Sequence, residues 1–172
     1  RITDRLVVRP SWTEFAAGPD DLVIVLDPGM AFGTAEHGTT RGCLRLLDRA
    51  VSPGDRLLDV GSGSGILSVA AVLLGAAHVT AVEADELSCE ALLENVQNNG
   101  AAERVTVLIE RVDAERLDAL GPVDGIVANL ETGLLRPLLG GFRTAVRSGG
   151  WLVLSGVLAE ECEALRHDTE RL

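Results

Sequence analysis

Leu57-Leu-Asp-Val-Gly-Ser-Gly-Ser-Gly65 is a run of apolar residues that breaks into a turn of alternating glycine and serine. The apolar part reads as a buried strand, and Ile66-Leu-Ser-Val-Ala-Ala-Val-Leu-Leu74 behind it reads as a helix. A strand, a turn almost free of side chains and a helix let a ligand approach the backbone closely. The first turn of such a helix adds unpaired N–H groups and a partial positive charge. That combination suits a nucleotide-like molecule.

One strand further on, His78-Val-Thr-Ala-Val82 is apolar and β-branched and ends at Glu83. Glu83 follows Gly61 by 22 residues. An acid about 20 residues beyond the glycine turn, at the tip of the neighbouring strand, stands where it can accept the hydroxyls of a ribose. The alternative is an ordinary tight turn with a solvated glutamate.

The type of nucleotide is narrowed by counting. The dinucleotide fingerprint needs a third glycine five positions after the first, and that position is Ile66. A nicotinamide-dependent reductase therefore fits poorly. A phosphate-cradling loop needs Gly-Lys-Ser/Thr, and the chain contains no lysine. The nucleophile elbow of hydrolases is also missing, because Gly63 stands where the serine would be.

Around this centre, strand and helix patterns alternate, which predicts an α/β fold: a mostly parallel sheet with helices on both faces. Expected strands are 22–26, 56–60, 78–82, 105–109, 123–128 and 151–155. Expected helices run from a cap at Thr39 or Thr40 to about 50, over 66–74, 86–98 and 132–146 (interrupted by Pro137), and from about 159 onward. Asn99-Gly100 is a helix stop. Residues 1–21 have weak periodicity and read as an N-terminal arm or linker remnant, with 22–172 as the domain. Parallel sheets bind ligands beyond the carboxyl ends of their strands. The residues arriving there are Asp59, Gly61, Gly63 and Gly65, then Glu83, Asp113 and Asn129. Asp113 is a candidate for a base edge or, equally, a solvated loop acid.

Composition sets the remaining bounds. A length of 172 residues suits one domain. No stretch of 18 apolar residues and no charged-then-apolar leader occurs, so neither a membrane span nor a signal peptide is expected. Cys43, Cys89 and Cys162 are scattered, which argues against a disulfide framework or a metal site and for a reducing, cytoplasmic setting. The net charge of −11 disfavours direct nucleic-acid binding; it favours a cationic ligand or a basic protein partner, with plain solubility as the preferred alternative.

Asp59-Val-Gly-Ser-Gly-Ser-Gly65 with Glu83 resembles the cofactor site of class I S-adenosylmethionine-dependent methyltransferases, a Rossmann-like fold. Asp27-Pro-Gly-Met-Ala-Phe-Gly-Thr-Ala-Glu-His-Gly-Thr-Thr40, Val127-Ala-Asn-Leu130 and Leu154-Ser-Gly-Val-Leu158 resemble the narrower PrmA-type family, which methylates ribosomal protein L eleven. The resemblance runs from about Arg5 to the end. It implies S-adenosyl-L-methionine as cofactor and N-methylation of a basic ribosomal protein. It places Thr40, Gly61, Glu83 and Asn129 among the cofactor contacts. Phe32, Thr34 and His37 fall in the loop over the methionine end, with Asn129 beside the transferred methyl and His37 as a weak base candidate. Three departures stand out: Ala35 in place of glycine, Glu83 in place of aspartate, and Glu131 where small residues are usual. The family also carries an N-terminal recognition domain and a C-terminal antiparallel strand pair. Neither is legible here, so a fragment or shortened relative is expected. The rival functions are methylation of a small molecule or another protein, and cofactor binding without chemistry.

Overall fold

The computed structural model describes residues 1–27 and 37–171. Five strands form the central sheet: β3 (Arg56–Val60), β4 (His78–Glu83), β5 (Val105–Ile109), β6 (Val123–Asn129) and β7 (Val146–Ser155). Their spatial order is β5-β4-β3-β6-β7, and every neighbouring pair is parallel. The order reverses between β3 and β6. In open parallel sheets that reversal opens a crevice outside the carboxyl ends of the strands. Among the described residues, no antiparallel strand pair follows β7.

Each face of the sheet has its own core. Successive strand residues point to opposite faces, so Leu57 joins one cluster while Leu58 and Val60 join the other. The first cluster holds α1 (Gly38–Ala50), α2 (Ile66–Leu73) and α3 (Glu86–Asn98) against the sheet through Leu44, Leu47, Val69 and Leu92. The second packs α4 (Ala114–Leu120), α6 (Leu139–Ala145) and α7 (Cys162–Glu170) through Leu117, Phe142 and Leu165. The α2 segment is buried along almost its whole length, which explains its continuous apolar sequence. Among the described residues, no helix is long and apolar enough to cross a membrane.

Several elements differ from their sequence expectation. Helix α1 begins at Gly38 with His37 as its N-cap residue, so neither Thr39 nor Thr40 caps it. The helix over 132–146, by contrast, is interrupted at Pro137 as expected, into α5 (Thr132–Leu135), a 3-10 turn (Arg136–Leu138) and α6. Pro137 supplies the break, because its ring excludes a continuous hydrogen-bond ladder. Strand β7 starts at Val146, five residues before the expected Trp151, with a register irregularity around Ser148-Gly149-Gly150. Helix α4 has no periodic pattern to announce it, since Leu117 is its one buried residue. The N-terminal arm contains a strand, β1 (Leu6–Arg9), paired in parallel with β2 (Leu22–Val25). Four residues are too few for a period-2 signal, yet Leu6 and Ile24 are fully buried against the first cluster.

Candidate active site

The glycine turn follows β3 at the reversal point. Gly61, Gly63 and Gly65 all have positive φ, at 74°, 51° and 77°. Side-chain-bearing residues avoid that conformation, so the alternation of glycine in the sequence is a backbone requirement. The turn is stitched to the tip of β4. Gly61 and Ser62 N–H groups donate to the Val82 carbonyl at 2.9 and 3.1 Å. The Ser62 hydroxyl donates to the Asp59 carbonyl at 2.8 Å. Gly63 N–H donates to Glu83 Oε2 at 2.8 Å.

Glu83 therefore sits at the turn, as its spacing predicts, with much of its accepting capacity in use. Its Oε1 takes the main-chain N–H groups of Ala84 and Asp85 at 2.8 and 2.9 Å. A carboxylate has about four lone-pair sites, so roughly one remains for a ligand hydroxyl. A grip on both hydroxyls of a diol requires one of these exposed N–H groups to exchange to water.

Asn129 faces the turn from the end of β6. Its Nδ2 donates to Thr40 Oγ1 at 3.5 Å. Its Oδ1 is buried and accepts no hydrogen bond. An unmet buried acceptor costs about 1–3 kcal/mol, so this oxygen calls for a donor brought by a ligand. Thr40, fully buried on α1, Gly61, Ser62, Gly63, Ile66, Leu67 and Asn129 line one crevice. Three separate chain segments thus meet at the place where the sheet order reverses.

The other candidates are distributed differently. Asp59 lies behind the turn, 1% exposed, with Oδ2 accepting from the Ser68 hydroxyl of α2 at 2.6 Å. It shares the face of Leu57 on β3, so its side chain points into the first cluster under α2 and is not among the residues lining the crevice. Asp113 caps α4 by accepting from Arg116 N–H at 2.8 Å. His37 is exposed, and its carbonyl accepts from Arg41 N–H at 3.1 Å. Phe32 and Thr34 lie outside the described residues.

Two residues that the sequence announces only as part of a helix end turn out to brace the site. Asn95 on α3 is buried and donates to the Ser64 carbonyl at 2.8 Å, which fixes the far side of the glycine turn. Asn99 takes Val25 N–H on Oδ1 and gives Nδ2 to the Val25 carbonyl, both at 2.8 Å. Its carboxamide pairs with β2 as another strand would. The only sequence signal for this was an asparagine at a helix stop.

Burial pushes the Asp59 carboxyl up to about 7, with the Ser68 hydrogen bond opposing and the charge of Glu83 adding to the rise. Burial likewise pushes the nearby Cys43 thiol up to about 11, so it stays an unreactive thiol at neutral pH. A carboxyl whose folded value exceeds its unfolded value of about 3.9 binds its proton more tightly in the native state. Its contribution to stability is then full below about pH 4 and is lost as pH rises to about 7. The Asp59→Asn variant removes this loss. Its stability relative to the wild type is expected to rise across that window, by on the order of a few kcal/mol, and to level off above it. Urea unfolding at several pH values checks this. Parallel stability profiles for the two proteins would refute it.

Among the described residues, no three His, Cys, Asp or Glu side chains group to hold a metal ion.

Comparison with known proteins shows the family and the fold. The family described as "Ribosomal protein L11 methyltransferase (PrmA)" matches residues 1–172. The ribosomal protein L11 methyltransferase of Pelotomaculum thermopropionicum is 44% identical over 161 residues, covering 91% of this chain and 50% of that protein. That of Symbiobacterium thermophilum is 42% identical over 165 residues, covering 96% and 53%. The chain spans about half the length of these curated relatives. Among solved structures, the ribosomal protein L11 methylase of Lactobacillus delbrueckii subsp. bulgaricus superposes with a TM-score of 0.88 at 28% identity, covering 99% of this chain and 86% of that one. A precorrin-6y C5,15-methyltransferase from Geobacter metallireducens shares the fold with a TM-score of 0.65 at 22% identity.

Proposed function

The chain belongs to the ribosomal protein L11 methyltransferase (PrmA) family, and from that premise we propose that it is the cofactor-binding and catalytic core of an S-adenosylmethionine-dependent N-methyltransferase acting on amines of a basic ribosomal protein. Residues 22–172 form the cofactor-binding domain in this reading, and 1–21 are a segment docked on it through β1. A ribosomal-protein acceptor implies a cytoplasmic enzyme.

The observation that supports it most directly is the meeting of the glycine turn, Glu83 and Asn129 at the reversal point of the sheet. The residues present fit the cofactor. Gly61 and Gly63 bring main chain without side chains to the crevice wall, and Glu83 keeps an accepting site for the ribose of an adenosine. The sulfonium supplies an already activated methyl group. The chain's own work is positioning and exclusion of water. Asn129, held by Thr40, offers Oδ1 to an amine N–H and aims the nitrogen lone pair. The apolar walls of Ile66 and Leu67 keep the crevice dry. Effective-molarity arguments allow about 7–11 kcal/mol from such positioning.

Calorimetric titration of the chain with S-adenosylhomocysteine and, separately, with NAD tests the cofactor assignment. Binding of the first and not the second is expected, together with transfer of labelled methyl to ribosomal protein L11. Binding of NAD alone would refute the cofactor, and binding without transfer to L11 would refute the acceptor.

A further inference from the structure

A second cavity of about 370 Å³ opens beside the crevice of the glycine turn, lined by Thr39, Asn129, Leu130, Glu131 and Gly156. Asn129 belongs to the walls of both. Gly156 packs directly on the Leu130 main chain: its φ is 84°, and a Cβ there would come within 2.6 Å of the Leu130 carbonyl oxygen.

The polar character of this cavity is one-sided. Glu131 is exposed and takes part in none of the ion pairs among the described residues. Its carbonyl accepts from Leu134 and Leu135 N–H, but its side chain makes no capping bond to α5. Asn129 has committed its Nδ2 to Thr40 and keeps an unmet acceptor. Among the described residues, no arginine or histidine lines the cavity. Walls that offer acceptors and a negative charge, and no cation, favour a positively charged N–H donor.

We propose that Glu131 is the acceptor-specificity residue of this enzyme: its carboxylate captures the ammonium of a lysine-type side chain in the cavity that Asn129 joins to the glycine-turn crevice. This rests on the methyltransferase reading and adds to it the group that recognises the acceptor. Capture precedes chemistry. The ammonium gives its proton to bulk water, and the neutral amine then advances to Asn129. A solvent-accessible ion pair contributes modestly, so the effect is an affinity change of about five-fold.

The test uses isotope-labelled chain saturated with S-adenosylhomocysteine and titrated with the tripeptide Gly-Lys-Gly or with its norleucine counterpart, followed by amide NMR shifts. The lysine peptide is expected to shift Leu130, Glu131 and Gly156, and the norleucine peptide to leave them in place. Glu131→Gln is expected to weaken the lysine peptide by about five-fold with unchanged S-adenosylhomocysteine affinity. The exposed side chain has no cap to lose, so the variant should fold, and its amide fingerprint reports that directly. Equal responses to the two peptides, no response to the lysine peptide, or undiminished binding by Glu131→Gln would each overturn the proposal. Failure of S-adenosylhomocysteine to bind is read in the first titration and counts against the methyltransferase reading instead.

Discussion

Glu83→Ala is expected to lower affinity for S-adenosylhomocysteine by roughly 30- to 150-fold, which corresponds to about 2–3 kcal/mol. The estimate follows from one to two hydrogen bonds between ligand hydroxyls and a charged carboxylate, each contributing about 1.5–3 kcal/mol net. Some loss of stability accompanies it, because Glu83 also holds Gly63 N–H at 2.8 Å. The N–H groups of Ala84 and Asp85 are exposed and turn to water when the carboxylate is removed, so they add little. A fall in melting temperature of about 2–6 °C is expected, from about 1–1.5 kcal/mol in a domain of this size. Calorimetry beside thermal unfolding separates the two effects. Wild-type affinity in a protein with a lowered melting temperature would show that Glu83 serves the turn alone.

The second large effect is structural. Gly125→Ala in β6 is expected to destabilise the fold by about 3 kcal/mol, at the upper end of ordinary overpacking. Gly125 pairs with Leu57 of β3 on one side and Trp151 of β7 on the other. The Trp151 indole lies over it, and an added Cβ would fall within the ring at Cε2, Cζ2 and Cδ2. The ring packs against the first core cluster and cannot move aside without opening it. At about 2–4 °C per kcal/mol, the melting temperature should drop by about 6–12 °C. A second change, Trp151→Leu, vacates the space and should recover part of the loss. A melting temperature within experimental error of the wild type for Gly125→Ala would remove this account of the glycine.

The sheet and the glycine turn were legible because each depends on local pattern. Val79, Ala81 and Val82 are buried as a strand between neighbours requires, and the positive-φ positions fall on the glycines of the run. Glu83 at the tip of β4 follows from strand length alone. Asp59 shows where local reading ends. It stands two residues before Gly61, yet it points into the interior onto Ser68. Its direction depends on which face of β3 meets α2, and no spacing within the turn reports that. Asn95 and Asn99 show the same limit from the other side. Their partners, Ser64 and Val25, lie 31 and 74 residues away in the chain. An asparagine near a helix end is consistent with a stop signal, a clamp or neither, until the packing of α3 selects one.

By itself, then, the order of residues determined the alternation of strands and helices, the bare turn after β3 and the acid at the tip of β4, because backbone conformation and hydrophobic period act over a few neighbours. Only the tertiary structure decided that Thr40 and Asn129 touch, that Glu83 already serves three main-chain N–H groups, and that Glu131 borders a cavity with no cation among its described wall residues. Those contacts join segments remote in sequence, and they form only when the two faces of the sheet bury their apolar residues and bring the strand ends together.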